Sequence, residues 1–531
     1  MALSTKVKVA MPENGVIIRR NGKYNYVYKV TSTYRDENGR PTNTRTSIGK
    51  MDAESGMLLP NDNYWQLYEI ASIETLPAFN SIRSIGATYA VKKILETIGA
   101  IEILKKVFDE KRATQIETIA IYMACRGNVM EHILDWCEGF TLHEESLCDK
   151  QASALFAGIT HDERMSFFRE WTQQHREDKN LAYDVTSLSS YADGIDNTEW
   201  GYNRDGDKLP QINLGCYLGY DSVLPMFYVT YSGSIIDKSH MKYMMAYNDE
   251  LGINDVTFVM DRGFCSTENV RYMHSKHMPY ILGVEMRNKA TLSAVDTVRS
   301  EIISMRKRID QGVYADSVRG FFYGEQTNLH IYYDPQLAES QRADLYRTVE
   351  VQEEKLSQLK QLTKRETKRF QHYFDIVLND DSTFTYTRNY DKVDAAALNN
   401  GFFCLISSTA LTGSEVLSKY RRKDVIEKNF DDLKNHIDMK RMRTHTSQTT
   451  DGKLFCAFIS LIAVSQMNRK LTMPTKKLNL SKNSVISELE KIKVVFASED
   501  RWHMNPITKT QRVVLETLDI SEVDIKGYVC L

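Results

Sequence analysis

Residues 180–284 constrain the fold more than any other part of this chain. Three apolar runs follow one another: Asn180–Ser189 (NLAYDVTSLS), Gln211–Tyr220 (QINLGCYLGY) and Leu224–Ser232 (LPMFYVTYS). A tight turn at Asp221-Ser222 joins the last two. Runs of this length, rich in β-branched and aromatic residues, predict strands. The pattern turns helical over Lys238–Leu251 and returns to an apolar strand at Asp255–Asp261 (DVTFVMD). It is helical again over Ser266–His277, with Ser266 as N-cap, and closes in a strand at Pro279–Val284 (PYILGV). A tight turn joins antiparallel neighbours, whereas strands connected through a helix run parallel. The order β-β-β-α-β-α-β therefore predicts a mixed sheet with helices laid over it.

This is the topology of the ribonuclease H fold, and two aspartates sit at informative points in it. Asp184 follows the apolar opening of the first strand, and Asp261 ends the fourth, just before Arg262-Gly263. In an α/β sheet, carboxylates at strand ends stand where ligands bind. Each has a structural alternative: Asp261 as a turn residue leading into the Ser266 helix, Asp184 as a hydrogen-bonded residue within its strand.

A third carboxylate changes the balance. Ser414–Asp438 reads as one helix, in which Tyr420, Lys423, Glu427 and Lys434 fall within an arc of about 60°, along roughly 21 Å of axis. Ile426, Phe430, Leu433 and Ile437 lie immediately beside that arc, so one face packs while its border carries a tyrosine, two lysines and a glutamate. Structural salt bridges can also produce such an edge.

Tyr420-x2-Lys423-x3-Glu427-x6-Lys434 resembles the Y-(2)-R-(3)-E-(6)-K signature of insertion-sequence transposases of the IS4 superfamily, with the IS1634-like group closest. The segment from Asp184 through Gly201-Tyr-Asn-Arg-Asp-Gly-Asp resembles the first-aspartate region of that family, and Val259-Met-Asp-Arg-Gly-Phe the second. The resemblance implies an α/β, ribonuclease-H-like catalytic core with a β-rich insertion, preceded by a small β module and an all-α module. It implies that Asp184, Asp261 and Glu427 are catalytic and bind metal, with two Mg2+ ions for which Mn2+ can substitute. Tyr420, Arg421, Arg422, Lys423 and Lys434 are implied to hold DNA phosphates. One departure stands out: the arginine of the signature is Lys423 here, so a bidentate clamp on phosphate is lost or supplied by Arg421 or Arg422. Some relatives hold a flipped base with a tryptophan near this helix or in the insertion. The five tryptophans here are Trp65, Trp136, Trp171, Trp200 and Trp502, none between 262 and 426, which argues against a tryptophan-wedged hairpin intermediate.

The remaining patterns and the resemblance together predict six segments. Residues 1–75 form a small β module contacting DNA, with alternation from residue 15 to 58 and turns at Glu37–Gly39 and Glu54–Gly56. Residues 76–178 form a helical module binding inverted repeats. The core begins at 179–298 and is interrupted by 299–398, an insertion of strands around a charged helix near Ala338–Gln371. It resumes at 399–475 with the glutamate helix, and 476–531 is a helical tail.

A chain of 531 residues exceeds one ordinary core, and a net charge of -2 excludes a protein attracted to nucleic acid by its overall charge. Basic clusters nevertheless occur at Lys360–Arg369, Lys419–Lys423 and Lys440–Arg443, any of which can also be a solvated face. The eight cysteines lack metal-knuckle or redox spacing and read as reduced thiols. The N-terminal residues lack a signal-peptide core, and the apolar run Leu454–Met467 is too short for a bilayer, so a buried helix and a cytoplasmic protein are expected, and the resemblance implies a prokaryotic, nucleoid-associated one. The expected partners are the terminal inverted repeats and target DNA, bound by a homodimer without membrane association. Two rival functions share the same residues: a nuclease that cuts without joining, and a noncatalytic DNA-binding regulator. A glycosidase using paired carboxylates is a third, but it gives the lysine–tyrosine edge no role.

Overall fold

The computed structural model describes residues 8–68, 81–142, 147–309, 312–379, 383–472, 480–497 and 501–530. The chain divides into two units, Met1–Ile82 with Val495–His503, and Arg83–Val494 with Met504–Leu531.

The smaller unit contains an antiparallel sheet of β1 (Val16–Asn21), β2 (Tyr24–Arg35), β3 (Pro41–Met51) and β4 (Leu58–Pro60), in that order. Period-two alternation sends Val27 and Ile48 to one face, where Leu58 and Tyr64 of the helix Asp62–Leu67 complete a small core. The β1–β2 turn is Asn21-Gly22-Lys23, with Gly22 at φ 60°, a conformation that favours glycine and makes the tight hairpin possible. A further short sheet joins β5 (Ser81–Ser84), β16 (Lys493–Ala497) and β17 (Arg501–Met504).

The larger unit is organised on eight strands in the order β11-β12-β15-β10-β9-β6-β7-β8. Here β6 is Asn180–Ser189, β7 Gln211–Gly219, β8 Pro225–Ser232, β9 Thr257–Met260 and β10 Tyr280–Val284. β6, β7 and β8 are antiparallel, while β9 is parallel to β6 and β10 parallel to β9. Five strands in the order 10-9-6-7-8 with this sense constitute a ribonuclease-H-like core. Every residue of β7 is buried, as a central strand covered on both faces requires. The expected buried helix is Ser447–Leu471, capped by Thr446. Its Phe455 and Phe458 meet Phe168 of the helix His161–Gln174, and Phe168 in turn packs edge-on against Phe227 of β8. Among the described residues no helix is long and apolar enough to cross a membrane.

Two expectations change. β11 (Tyr314–Phe322) and β12 (Glu325–Tyr333), within the stretch read as an insertion, form a hairpin that pairs through β12 with β15 (Phe402–Ser407). The eight-stranded sheet thus runs through the beginning of residues 299–398. The rest of that stretch makes a separate small core. Val349 and Leu356 of the helix Pro335–Gln358 pack there with Phe370, Phe374 and Val393, beside the hairpin of β13 (Phe374–Leu378) and β14 (Phe384–Arg388). The second change concerns Ser414–Asp438, which is not one continuous helix. It breaks into Gly413–Arg421, Asp424–Asp431 and a π-helical turn, Asp432–His436. At the break, the amides of Lys423, Val425 and Ile426 donate to the carbonyls of Tyr420, Arg422 and Lys423, tightening the chain to three-residue spacing.

Candidate active site

Sheet register brings the two aspartates together. Tyr183 of β6 pairs with Met260 of β9, and the strands are parallel, so the next residues, Asp184 and Asp261, stand at the same level. Asp184 lies within β6, opposite Cys216 of β7, and its Oδ1 accepts the Val185 amide at 2.8 Å. β9 ends at Met260, and Asp261 caps the short 3-10 turn Arg262–Phe264, accepting the Arg262 amide at 2.8 Å.

The broken helix supplies the rest. The Tyr420 hydroxyl donates to Asp261 Oδ1 at 2.9 Å. Lys423, at the break, is buried, and its ammonium donates to Glu427 Oε1 at 3.0 Å. Burial works against the Lys423 charge, yet the bond to Glu427 and the fields of Asp261 and Asp184 hold its pKa above the ordinary lysine value. One ammonium therefore feels all three carboxylates of the expected triad. Burial pushes Asp184 up to about 6, with Asp261 adding to the rise, while the Val185 amide, Lys423 and Arg204 act in the opposite direction. Burial, and then the adjacent Asp261 charge, also raise the Tyr420 phenol, so it remains a hydrogen-bond donor at neutral pH.

The expected phosphate ligands do not form one group. Tyr420 and Lys423 stand at the carboxylates. Arg422 is tied to the β7–β8 turn, donating to the Tyr220 carbonyl at 2.8 Å and to Asp221 at 2.9 Å. Arg421 lies 4.0 Å from Asp334. Lys434, in the π turn, is buried and held by both carboxylate oxygens of Asp205 at 2.9 and 2.8 Å.

Two residues at the site escaped the sequence reading. Arg204 donates to Ser187 Oγ at 3.3 Å, pairs with Asp237, and places a second positive charge near Asp184. Gly283 of β10 lies under the site: a Cβ there would stand 2.7 Å from the Tyr420 hydroxyl and 2.8 Å from the Arg262 amide. A lone glycine in the apolar strand YILGV is itself the signal of a close backbone approach.

The donor chemistry suits a hard cation, since the triad offers only carboxylate oxygens. Among the described residues, no three acidic, histidine or cysteine side chains already stand as a ready cluster for one ion. Glu427 is instead bonded to Lys423. Tyr420→Phe removes a hydrogen bond to a charged acceptor while leaving the ring packed; a tenfold to hundredfold loss of DNA-cleavage rate with unchanged folding is expected, on the order of 1.5–3 kcal/mol. Single-turnover cleavage beside circular dichroism checks this, and an unchanged rate would remove Tyr420 from the site.

The ribonuclease-H-like sheet sets Asp184 of β6 beside Asp261, which follows β9, and the broken helix reaches them through Tyr420 and through Lys423, to which Glu427 is bonded. Residues 175–463 match the transposase DDE domain family, more than half of the chain, and the chain belongs to that family. Membership makes it a transposase, a DNA-cutting and DNA-transferring enzyme. No curated protein matches the chain. Among solved structures it is similar to a piggyBac transposase synaptic complex with hairpin DNA, at 8% identity and a TM-score of 0.34, covering 77% of this chain and 80% of that one.

Proposed function

We propose that this chain is the transposase of an insertion sequence of the IS4 superfamily, closest to the IS1634-like group. In this reading it binds the terminal inverted repeats as a homodimer, in the cytoplasm of a prokaryote. It cleaves DNA at the element boundary and joins the freed 3′ end to target DNA. The observation that carries this reading is the register that sets Asp184 beside Asp261, with Tyr420 bonded to Asp261 and Lys423 bonded to Glu427 from the adjoining helix.

Asp184, Asp261 and Glu427 are the residues that would hold Mg2+. When bound, two such ions activate the attacking oxygen and stabilise the leaving one. The chain's own residues set the stage. Tyr420 and the Arg262 amide both donate to Asp261 Oδ1 and so orient its carboxylate. Lys423 offsets part of the charge of the carboxylates, and its ammonium would hold a phosphate at the scissile bond. Arg204 offers a further cation beside Asp184, but its bond to Asp237 keeps it a positioning residue.

The test is cleavage of a labelled duplex carrying the element's own end, in Mg2+ or in EDTA, with wild type and Glu427→Gln. Nicking at the boundary that needs the metal and falls at least a thousandfold in the variant is expected, with end binding retained. Cleavage by the variant at the wild-type rate would dismiss Glu427. A wild type that binds the end but never cuts would favour the noncatalytic regulator, and cutting without a joined product would favour the nuclease.

A further inference from the structure

The four-stranded sheet of the smaller unit has a composition unlike the rest of the chain. β1 to β4 carry Arg19, Arg20, Lys29, Arg35, Arg45 and Lys50, but no aspartate or glutamate. The whole chain is balanced at 68 basic to 70 acidic residues. The nearby acids lie in connections, and two of them are already engaged. Asp36 accepts the amides of Asn38 and Arg40, and Asp52 binds Lys8 and Ser55.

Register sorts these side chains by face. Tyr26 pairs directly with Arg19 on one side and with Lys50 on the other, so the three point the same way across three strands. Tyr24 and Tyr28, two residues either side of Tyr26, share that face, as does Arg45, which lies over the Tyr28 ring at 5.9 Å. The Lys50 ammonium sits 4.7 Å from the Tyr24 ring centre and 5.2 Å from that of Tyr26. The opposite face is the one closed by Val27, Ile48, Leu58 and Tyr64. On the outer face Arg19, Tyr24 and Lys50 are exposed, and Tyr26, Tyr28 and Arg45 are partly so.

We propose that this face is a docking surface for the sugar-phosphate backbone of duplex DNA; the inference rests on reading the chain as a DNA-acting transposase and assigns the partner of its smaller unit. Charge complementarity selects a polyanion. The tyrosines recur every two residues, about 7 Å apart along the strand, and present phenol donors between flanking cations. Packing against the rings restrains the long basic side chains, so less freedom is lost when they engage phosphate. A face that reads phosphates supplies register and steep salt dependence instead of base sequence. It therefore anchors DNA of any sequence, leaving discrimination of the element's ends to other parts of the chain.

The experiment measures affinity of the full chain for a labelled duplex of random sequence as a function of salt. Wild type is compared with Arg19→Gln/Arg45→Gln/Lys50→Gln and with Lys276→Gln/Lys289→Gln, which removes exposed charge elsewhere. The triple variant is expected to bind at least tenfold more weakly at low salt, with a salt slope smaller by about 2.7. The control should match wild type. An unchanged slope in a folded triple variant overturns the proposal, as does an equal loss in the control. A triple variant that loses single-stranded DNA or anionic phosphatidylserine vesicles while keeping duplex would reassign the face to that partner and also overturn it. Metal-dependent cleavage is scored separately with Glu427→Gln, so a failure here leaves the catalytic reading intact, and an inactive wild type leaves this result readable.

Discussion

Asp184→Asn is expected to abolish strand cleavage while making the metal-free protein more stable. Asp184 is half-buried beside Asp261, and its folded-state pKa of about 6 lies above the usual 3.8. The folded chain therefore holds this proton more tightly than the unfolded chain does. Ionisation opposes folding, with no effect below about pH 4, a growing cost between pH 4 and 6, and a constant cost above. The full cost is on the order of 3 kcal/mol, from the conversion of pKa shift to free energy. Asparagine keeps the shape and removes the charge. In EDTA at pH 8, its melting temperature should exceed that of wild type by a few degrees, and the gap should close as pH falls towards 4. Adding Mg2+ should raise the wild-type melting temperature more than that of the variant, because the variant lacks one of the three carboxylates that would hold the ion. Thermal scans across pH, with and without metal, decide this. A wild type as stable as the variant in EDTA at pH 8 would mean that the site does not strain the fold. Nicking by the variant within tenfold of wild type would remove Asp184 from the chemistry.

Much of this architecture is readable in the sequence because it is local. The strands around Asp184 and Asp261 are apolar runs with clear turn signals, and Ser266 caps its helix as its position predicts, accepting the Asn269 amide at 3.1 Å. The β11–β12 hairpin was legible as strands, but not as members of the eight-stranded sheet. Membership depends on the pairing of β12 with β15, about 75 residues later, which no local pattern records. The glutamate helix shows the same limit. An unbroken wheel places Tyr420, Lys423, Glu427 and Lys434 on one edge; Tyr420 does bond Asp261, and Lys423 and Glu427 bond each other beside it. The break at Lys423 and the π turn rotate the C-terminal end of the segment, and Lys434 meets Asp205 instead. The anchors that impose those irregularities are distant in sequence: Arg422 on the Tyr220 carbonyl, and Asp432 bound by Asn468 and Lys482. Backbone hydrogen bonding yields to such contacts because each satisfies a charged or buried group.

Gly283→Ala is expected to cripple the site without any change to a charged or hydrogen-bonding side chain. Gly283 has no left-handed backbone requirement, so alanine costs nothing in φ; the effect is steric alone. The new methyl would stand 2.7 Å from the Tyr420 hydroxyl, 2.8 Å from the Arg262 amide nitrogen and 3.2 Å from the Arg262 Cα. The first of these belongs to a side-chain tip that can turn aside. The other two are backbone, held by the turn that Asp261 caps, and can retreat only by moving Asp261. Both groups that fix the Asp261 carboxylate are thus displaced by one carbon. Overpacking of this kind costs about 1–3 kcal/mol of stability, which a unit of this size tolerates. A misplacement of about 1 Å in a reacting constellation costs on the order of a hundredfold in rate. Cleavage should therefore fall by about that factor or more while DNA binding and circular dichroism stay near wild type. Adding Tyr420→Phe to Gly283→Ala removes the hydroxyl from the clash but leaves the Arg262 backbone in place, so the double variant should remain inactive. Recovery in the double variant would shift the weight from Asp261 to Tyr420, and a Gly283→Ala enzyme that cuts normally would show that the chemistry does not depend on where this turn holds Asp261.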